Sequence, residues 1–328
     1  MGDPAGVGPE LCLRLLAEPR VLARCVPVVF GDSDVMRRAA DAGGLAFPRD
    51  VEIRSAAESP DGLRGIERPS VLDFHAVDAA AVMPGKVDAA CGRAAFCYIE
   101  AAIRAALAGD VAAIVTAPIH KEALRAAGVP FPGHTEILAD RTGTENFCMM
   151  LTSEKITVSL VTTHVGLRDV PGQLTAERIG RVVDLTAAAM QRIRRRRPRL
   201  IVCALNPHAG EGGLFGRREE EHFIEPAVRA AAERGIEIVG PLPPDTAFLP
   251  ERLAWADAHV CMYHDQGLVP MKMLAFDEGV NVTLGLPIVR TSVDHGTAMD
   301  IAWKGIARVE SLVQATLLAE RLSRQEER

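Results

Sequence analysis

The chain has 328 residues, 48% of them hydrophobic and 24% charged, so it is long enough for two globular domains. Its net charge of -6 argues against non-specific binding to nucleic acid, and no window approaches the roughly 18 unbroken apolar residues of a membrane span. The start has no signal-peptide pattern and the seven cysteines are scattered without a CxxC pair, so we expect a cytoplasmic protein with reduced thiols.

Residues 2–10 form a glycine-rich segment, Gly-Asp-Pro-Ala-Gly-Val-Gly-Pro-Glu, that is typical of a turn leading into a helix. In an α/β protein such a turn follows a strand, so we expect a first strand before it, although nothing precedes it here. We therefore expect either a truncated sequence or a start assigned too late. The segment is not G-x-G-x-x-G, so alone it does little to predict a dinucleotide site.

Short runs rich in Val and Ile alternate with Ala-rich helical stretches, which predicts an α/β fold with a mostly parallel sheet. The clearest unit is a helix from about Cys91 to Leu107, a stop at Gly109, a strand from Val111 to Thr116 and a new helix at His120. Further strands are predicted at 156–163, 200–205, 236–239, 259–263 and 280–284. The sequence has no internal repeat and no long linker between two halves. If the fold has two lobes, the chain must therefore cross between them more than once.

A helix predicted from about Thr175 ends in four consecutive arginines, residues 194–197, followed by Pro198. Basic side chains are favoured at the carboxyl end of a helix, where its dipole is negative. We therefore interpret this run as a solvated helix end and not as a nucleic-acid site.

Three histidines, His164, His208 and His264, each follow a predicted buried strand. The carboxyl ends of strands in an open α/β sheet are where ligands bind, because loops vary there while the sheet stays rigid. Three converging imidazoles suit a divalent metal that keeps open positions for a substrate. That the three side chains lie close together is inferred from their positions at the ends of the predicted strands.

Other polar residues in predicted buried regions favour a small anionic substrate, because phosphate and carboxylate oxygens need several donors once water is excluded. They are His134 and Thr135, then Lys272, then Asn281 and Arg290. Lys272 and Arg290 are equally well explained as surface ion-pair residues. A last segment, residues 294–302, has the composition of a tight turn that enters a helix, and a plain connection explains it.

Together these motifs resemble, in order, those of the 4-hydroxythreonine-4-phosphate dehydrogenase family. They are Gly2–Glu10, Gly133–Glu136, Asn206–Glu211, Pro243–Thr246, Tyr263–Gly267 and Arg290–Thr297. The resemblance implies an isocitrate/isopropylmalate dehydrogenase-like α/β fold with two lobes and a cleft between them. We expect residues 1–122 and 278–328 in a cofactor-side lobe, and 123–277 in a metal, substrate and dimerisation lobe. It also implies oxidation of 4-phosphooxy-threonine to a 3-oxo acid that decarboxylates, in vitamin B6 biosynthesis.

The resemblance also assigns site residues. The metal ligands are His164, His208 and His264, with the last supplied by the neighbouring subunit of a homodimer, and the metal is zinc, with magnesium or cobalt as alternatives. The substrate contacts fall on His134, Thr135, Lys272, Asn281 and Arg290. NAD binds at His295, Gly296, Thr297, Ala298 and Asp300, where Asp300 would hold the ribose diol and repel the extra phosphate of NADP. Lys272 and Asp245 are the candidates for proton transfer.

Three alternatives to this substrate and this function stay open. Leu214-Phe215-Gly216, Pro244 and Asp300–Trp303 look closer to the branch that acts on 4-phospho-threonate or 4-phospho-erythronate. A metal-dependent hydrolase or aldolase would use the same histidines without a nicotinamide, and a metabolite-binding protein would need no metal. The three strand-end histidines favour an enzyme.

Overall fold

The computed structural model describes residues 1–56, 63, 65–276 and 278–324. The strands are β1 (Val28–Gly31), β2 (Glu52–Ser55), β3 (Ser70–Asp73), β4 (Ile114–Thr116), β5 (Cys148–Thr152), β6 (Thr157–Leu160), β7 (Arg199–Cys203), β8 (Glu237–Leu242), β9 (Ala258–Cys261), β10 (Val280–Leu284) and β11 (Arg290–Val293). The α-helices are α1 (Gly8–Leu15), α2 (Pro19–Leu22), α3 (Ser33–Gly43), α4 (Ala89–Leu107), α5 (Lys121–Ala126), α6 (His134–Arg141), α7 (Ala176–Arg194), α8 (Glu225–Glu233), α9 (Pro244–Ala247), α10 (Pro250–Trp255), α11 (His264–Ala275) and α12 (Glu310–Ser323).

The chain divides into two compact units. Unit 1 comprises Met1–Glu145 and Leu286–Arg328, and unit 2 comprises Asn146–Gly285. The boundaries fall later than the predicted ones at 122/123 and 277/278. Close packing of α5 on α4 explains the first difference, because a Cβ atom at Gly92 would lie only 2.2 Å from the carbonyl oxygen of Ala123. Residues 121–141 therefore stay with the helix that precedes them.

Unit 1 contains two groups of parallel strands. One has the order β1-β3-β2, and in the other β4 pairs with β11. Helix α4 begins at Asp88, whose carboxylate accepts hydrogen bonds from the backbone N–H groups of Ala90 and Cys91. The buried face of α4 packs Tyr98 against Phe30 of β1 and Leu72 of β3. This packing explains why an Ala-rich helix is stable here.

Unit 2 is built on the strand order β10-β5-β6-β9-β7-β8. β5 is antiparallel to both of its neighbours, β10 and β6. The strands β6, β9, β7 and β8 are all parallel. The neighbours β6, β9 and β7 consequently end at the same edge. His164 follows β6, His264 follows β9 and His208 follows β7. The sheet therefore brings the three predicted metal ligands to adjacent strand ends.

Helix α7 covers the parallel strands of unit 2. It begins at Thr175, whose hydroxyl accepts from the backbone N–H of Arg178 at 3.1 Å, and it ends at Arg195, which has a left-handed backbone. Beyond this end, the guanidinium of Arg196 makes two hydrogen bonds to the buried carboxylate of Asp257. None of the helices that the structure describes is long and apolar enough to span a bilayer.

Candidate active site

His164 and His264 form a pair at the carboxyl edge of the unit 2 sheet. Their ring centroids lie 6.0 Å apart with 42° between the ring planes. Two imidazoles on one tetrahedral zinc have centroids about 5 Å apart, as follows from Zn–N bonds of about 2.0 Å. The pair is therefore about an ångström wider than two ligands of one zinc ion.

The orientation of His264 is set by two neighbours in the same turn. Its Nδ1 lies 2.7 Å from a carboxylate oxygen of Asp265, which leaves Nε2 available to a metal. The buried side chain of Gln266 accepts from the backbone N–H of Met262 and donates to the carbonyl of Ala204. Gln266 thus ties the turn after β9 to the turn after β7. The sequence motif contained both residues, but their supporting roles were not predicted.

His208 lies in a turn of unusual backbone. Residues 208–212 all have left-handed torsions, with φ between 43° and 77°. The buried carboxylate of Glu220 holds the start of this turn by accepting from the backbone N–H groups of Leu205 and Asn206 at 3.0 and 2.7 Å. It also lies so close to Gly210 that a Cβ atom there would be 2.7 Å from the carboxylate. Glu220 is a residue that sequence reasoning missed, because no motif marks a carboxylate that binds backbone.

The three predicted metal ligands are not closed into one site within a single chain. Among the described residues, no group of three or more His, Cys, Asp and Glu side chains is placed to hold an ion. His164 and His208 are exposed, and His264 is about one-third exposed. The donor chemistry nonetheless fits zinc, because two imidazoles already lie together and one carries a carboxylate partner.

Three further predicted residues lie in unit 2. Lys272 is half-buried on α11, with its Nζ 5.2 Å from the ring centroid of Phe276. Asn281 donates to the sulfur of Met149, while its Oδ1 is buried with no hydrogen-bond partner among the described residues. Asp245 is exposed in the first turn of α9. An unused buried acceptor at Asn281 is consistent with a ligand contact.

In unit 1, Arg290 and His134 form the core of a potential anion site. The Arg290 side chain is buried, 3% exposed, and it donates to the hydroxyl of Thr116 at 2.8 Å. Burial lowers the pKa of Arg290 to about 10, although the nearby carboxylate of Glu136 acts to raise it. Burial, together with the charge of Arg290, holds the pKa of His134 well below its usual range. His134 is therefore neutral at pH 7.

His134 is the first residue of α6, followed by the half-buried Thr135. Its Nε2 is buried and has no hydrogen-bond partner within the described part of the chain. His134 and Thr135 at the start of α6 offer a neutral imidazole and a hydroxyl, and Arg290 adds a buried guanidinium. These groups could together donate hydrogen bonds to a phosphoryl or carboxylate group. The structure thus brings together His134 and Arg290, which are far apart in the sequence.

The predicted nucleotide-binding segment is an irregular loop in unit 1, with a single 3-10 turn at Met299–Ile301. Thr297 is buried, and its carbonyl accepts from the backbone N–H of Val7 at 3.0 Å. Ala298 has a left-handed backbone, with φ 43°. His295, Gly296 and Asp300 are exposed. The loop is therefore anchored at its centre, while the carboxylate predicted to read the ribose is open to a ligand.

Comparison with known proteins covers nearly the whole chain. Residues 23–319 match the family described as pyridoxal phosphate biosynthetic protein PdxA. A 4-hydroxythreonine-4-phosphate dehydrogenase of Geobacter metallireducens is 46% identical over 325 residues, 99% of this chain and 94% of that protein. A D-threonate 4-phosphate dehydrogenase of Cupriavidus necator is 45% identical over 324 residues, 96% of this chain and 93% of that protein.

The same similarity extends to a solved structure. The crystal structure of a 4-hydroxythreonine-4-phosphate dehydrogenase from Klebsiella pneumoniae has a TM-score of 0.84 and 42% sequence identity, covering 99% of this chain and 98% of that one. The predicted α/β fold class and the prediction of an oxidoreductase are confirmed by these relatives.

Proposed function

Because the chain belongs to the family of the pyridoxal phosphate biosynthetic protein PdxA, we propose that it oxidises the secondary alcohol of 4-phosphooxy-threonine. The oxidant is NAD, the reaction requires a divalent metal, and the 3-oxo acid formed then loses carbon dioxide. The product serves pyridoxal phosphate synthesis. The observation that carries this proposal is the buried donor cluster of Arg290 and His134 at the start of α6, which suits a phosphorylated acid.

Arg290 binds the phosphoryl group of the substrate in this proposal, and His134 and Thr135 add uncharged donors. A buried guanidinium has already lost most of its water in the folded protein. Binding an anion to it therefore costs less desolvation than binding the same anion to an exposed lysine. Asn281 and Lys272 contribute the remaining substrate contacts. The buried Oδ1 of Asn281 accepts from a donor on the substrate.

His164, His208 and His264 hold the divalent metal, with zinc as the first candidate and magnesium or cobalt as alternatives. When bound, the ion supplies positive charge that favours loss of the alcohol proton. Asp265 keeps the ring of His264 in one orientation and tautomer. Lys272 and Asp245 move protons at the substrate, and a pH–rate profile of Lys272→Met and Asp245→Asn assigns them separately.

The loop of His295, Gly296, Thr297, Ala298 and Asp300 binds NAD. Thr297 fixes the loop through Val7, so that the exposed Asp300 accepts hydrogen bonds from the ribose hydroxyls. Its negative charge disfavours the additional phosphate of NADP.

The active unit is a homodimer in which the metal site is shared. Helix α11 carries His264, and its Val269 and Met273 are 57% and 81% exposed, while Phe276, directly after the helix, is 70% exposed. Apolar side chains clustered on one helix favour a protein partner, and a second copy of the chain is the partner that would also cover the exposed histidines. The arrangement implied by the family has His164 and His208 from one subunit and His264 of the partner subunit. That assignment stays a prediction, since one chain already places His164 beside its own His264.

Mixed dimers distinguish these arrangements. If His264 comes from the partner, dimers of His164→Ala with His264→Ala contain one intact site, and random pairing restores about a quarter of wild-type activity. If one chain supplies both His164 and His264 while His208 is the shared ligand, that mixture stays at background. A mixture of His164→Ala with His208→Ala then recovers the activity instead. Background activity in both mixtures, with mixed dimers verified, rejects a shared site.

A second candidate substrate is 4-phospho-D-threonate or 4-phospho-D-erythronate, since the relative from C. necator is named for the threonate and is nearly as similar as that from G. metallireducens. These substrates carry a hydroxyl where 4-phosphooxy-threonine carries an amine. A panel of the three with NAD and a divalent metal, read by NADH formation, identifies the substrate. Product formed without NADH would overturn oxidation and indicate a hydrolase or an aldolase.

A further inference from the structure

His259 is a buried histidine to which the proposed reaction gives no role. It lies in β9 between Ala258 and Val260, and it is 2% exposed. Its partners in the two neighbouring strands are Val158 of β6 and Ile201 of β7, which are both fully buried. An imidazole among apolar side chains loses its water on folding, and a hydrogen bond offsets part of that cost. A histidine at this position therefore indicates a specific hydrogen bond.

The hydrogen bond of His259 goes to the short helix α9. Its Nε2 lies 2.8 Å from the carbonyl oxygen of Ala247, the last residue of α9. A carbonyl oxygen can only accept, so Nε2 carries the proton and donates. Burial lowers the pKa of His259, although the hydrogen bond to Ala247 acts to raise it, so the imidazole is neutral at pH 7. The contact is an uncharged hydrogen bond that joins β9 to α9.

The end of α9 depends on such a donor. The helix has only four residues, too few to be stable by itself, and the carbonyl of its last residue has no partner within the helix. The ring of Phe248, directly after α9, stacks on His259 with the centroids 4.7 Å apart and 23° between the planes. His259 thus holds α9 through both a hydrogen bond and a ring contact.

Helix α9 carries Asp245, one of the two candidates for proton transfer. The helix follows β8, which is parallel to β7, so it begins at the sheet edge where His208 also lies. It contacts both β7 and the turn of residues 207–213 that contains His208. Asp245 is exposed in the first turn of α9. The position of its carboxylate relative to the proposed metal ligands consequently depends on how firmly α9 is held.

We propose that His259 is a positioning residue, whose imidazole holds α9 against the sheet so that the carboxylate of Asp245 stays within reach of the substrate. This inference rests on the role in proton transfer proposed above for Asp245. His259 acts through the backbone of α9 and does not contact the substrate. Its removal should therefore lower kcat, while KM and metal content, which depend on other residues, stay at their wild-type values.

Two substitutions of similar size separate the hydrogen bond of His259 from its packing. His259→Gln keeps an amide N–H near the position of Nε2, whereas His259→Met fills a similar volume without a donor. The backbone N–H groups of Thr246, Ala247 and Leu249 form hydrogen bonds within α9 and its end. His259→Met should speed their hydrogen exchange at least about tenfold, and His259→Gln should leave it near the wild-type rate. This measurement requires neither substrate nor metal.

A double-mutant cycle tests whether His259 acts through Asp245. We expect His259→Met to lower kcat about tenfold to a hundredfold, because a small displacement of a reacting group has an effect of this size. It should have no further effect when Asp245 is already Asn, since no carboxylate is left to position. His259→Gln should recover most of the lost kcat. Phe248→Leu, which removes the stacked ring, should show the same pattern with a smaller loss, and it replaces His259→Met if that variant does not fold.

The outcomes distinguish the positioning role from the proposed function. Unchanged hydrogen exchange in His259→Met, or an equal loss of kcat with and without the Asp245 carboxylate, would overturn the positioning role and leave the proposed function intact. Wild-type kcat in Asp245→Asn would instead reject Asp245 as a proton carrier, and the inference with it. Absence of NADH formation with every substrate of the panel would reject the proposed function itself, together with the role of His259 in it.

Discussion

In unit 1 the residues proposed to bind an anion are buried, with Arg290 only 3% exposed, whereas in unit 2 His164 and His208 are exposed. In the first cluster, Arg290 donates to Thr116, and burial together with the charge of Arg290 lowers the pKa of His134. The second brings two imidazoles together and leaves the third ligand apart. A buried cation is ready for its ligand before binding, but exposed imidazoles require a metal, a substrate or a second chain to exclude water. The two clusters should therefore respond differently to mutation.

The largest effect is expected from the histidines of unit 2. His164→Ala, His208→Ala and His264→Ala should each lower kcat by at least about a thousandfold and remove the bound metal, because each is proposed to supply one of three protein ligands. Metal content and activity are measured together with circular dichroism. Since His164 and His208 are exposed, the fold should be unchanged. The control is His222→Ala, an exposed histidine of the same unit. A variant that retains both metal and activity would remove that residue from the ligand set.

Arg290→Ala should act on binding instead. We expect KM for the phosphorylated substrate to rise about a hundredfold, since the variant would lose the charge-assisted hydrogen bonds proposed between Arg290 and the phosphoryl group. Metal content should stay at the wild-type level, which distinguishes this cluster from the histidines. Arg192→Ala, an exposed arginine on α7, is the control. An unchanged KM would mean that the anion binds elsewhere.

A smaller effect is expected at the loop of unit 1. Asp300→Ala should weaken NAD binding about tenfold and reduce the preference for NAD over NADP, because the carboxylate is proposed both to accept from the ribose and to repel a 2′-phosphate. Steady-state kinetics with the two cofactors measure the ratio, with Asp41→Ala on α3 as a distant control. If the ratio does not change, the loop is only a connection.

The smallest effect concerns the pH dependence of stability. The pKa of His134 is lowered in the folded state, so below about pH 6.5 the unfolded chain binds a proton that the folded chain does not. Folding should therefore lose up to about 1.4 kcal/mol per pH unit as the pH falls. Urea unfolding at several pH values with a chelator present should show a shallower loss for His134→Gln. Parallel slopes would show that His134 is solvated in the folded protein.

Long elements with strong local signals could be predicted from the sequence. The helix predicted from Cys91 to Leu107 is observed at Ala89–Leu107, and the strand predicted at 280–284 is β10. β1, β2 and β3 were not predicted from the sequence, although β6 and β9 are equally short. β5 was missed because Cys-Met-Met-Leu-Thr contains hardly any β-branched residues.

For the candidate site, the sequence identified residue types and strand ends but not their contacts. The placement of His164, His208 and His264 after neighbouring parallel strands follows from β/α topology, and the structure has that strand order. The joining of His134 to Arg290 depends on long-range packing, and the role of Glu220 depends on backbone donors that no motif records. Local patterns cannot predict such interactions, because they are properties of the folded chain.

The turn at residues 208–212 is, in its chirality, the mirror image of a turn of ordinary α-helix. Each L-residue other than glycine costs about 1–2 kcal/mol in this conformation, and Ala209 and Glu211 both adopt it. D-Alanine introduced at position 209 by chemical synthesis would fit without strain. Laboratory selection for heat resistance alone would replace Ala209 by glycine, and that change would loosen the backbone that directs His208. If His208 binds the metal as proposed, selection for thermal stability and selection for activity would favour different amino acids at position 209.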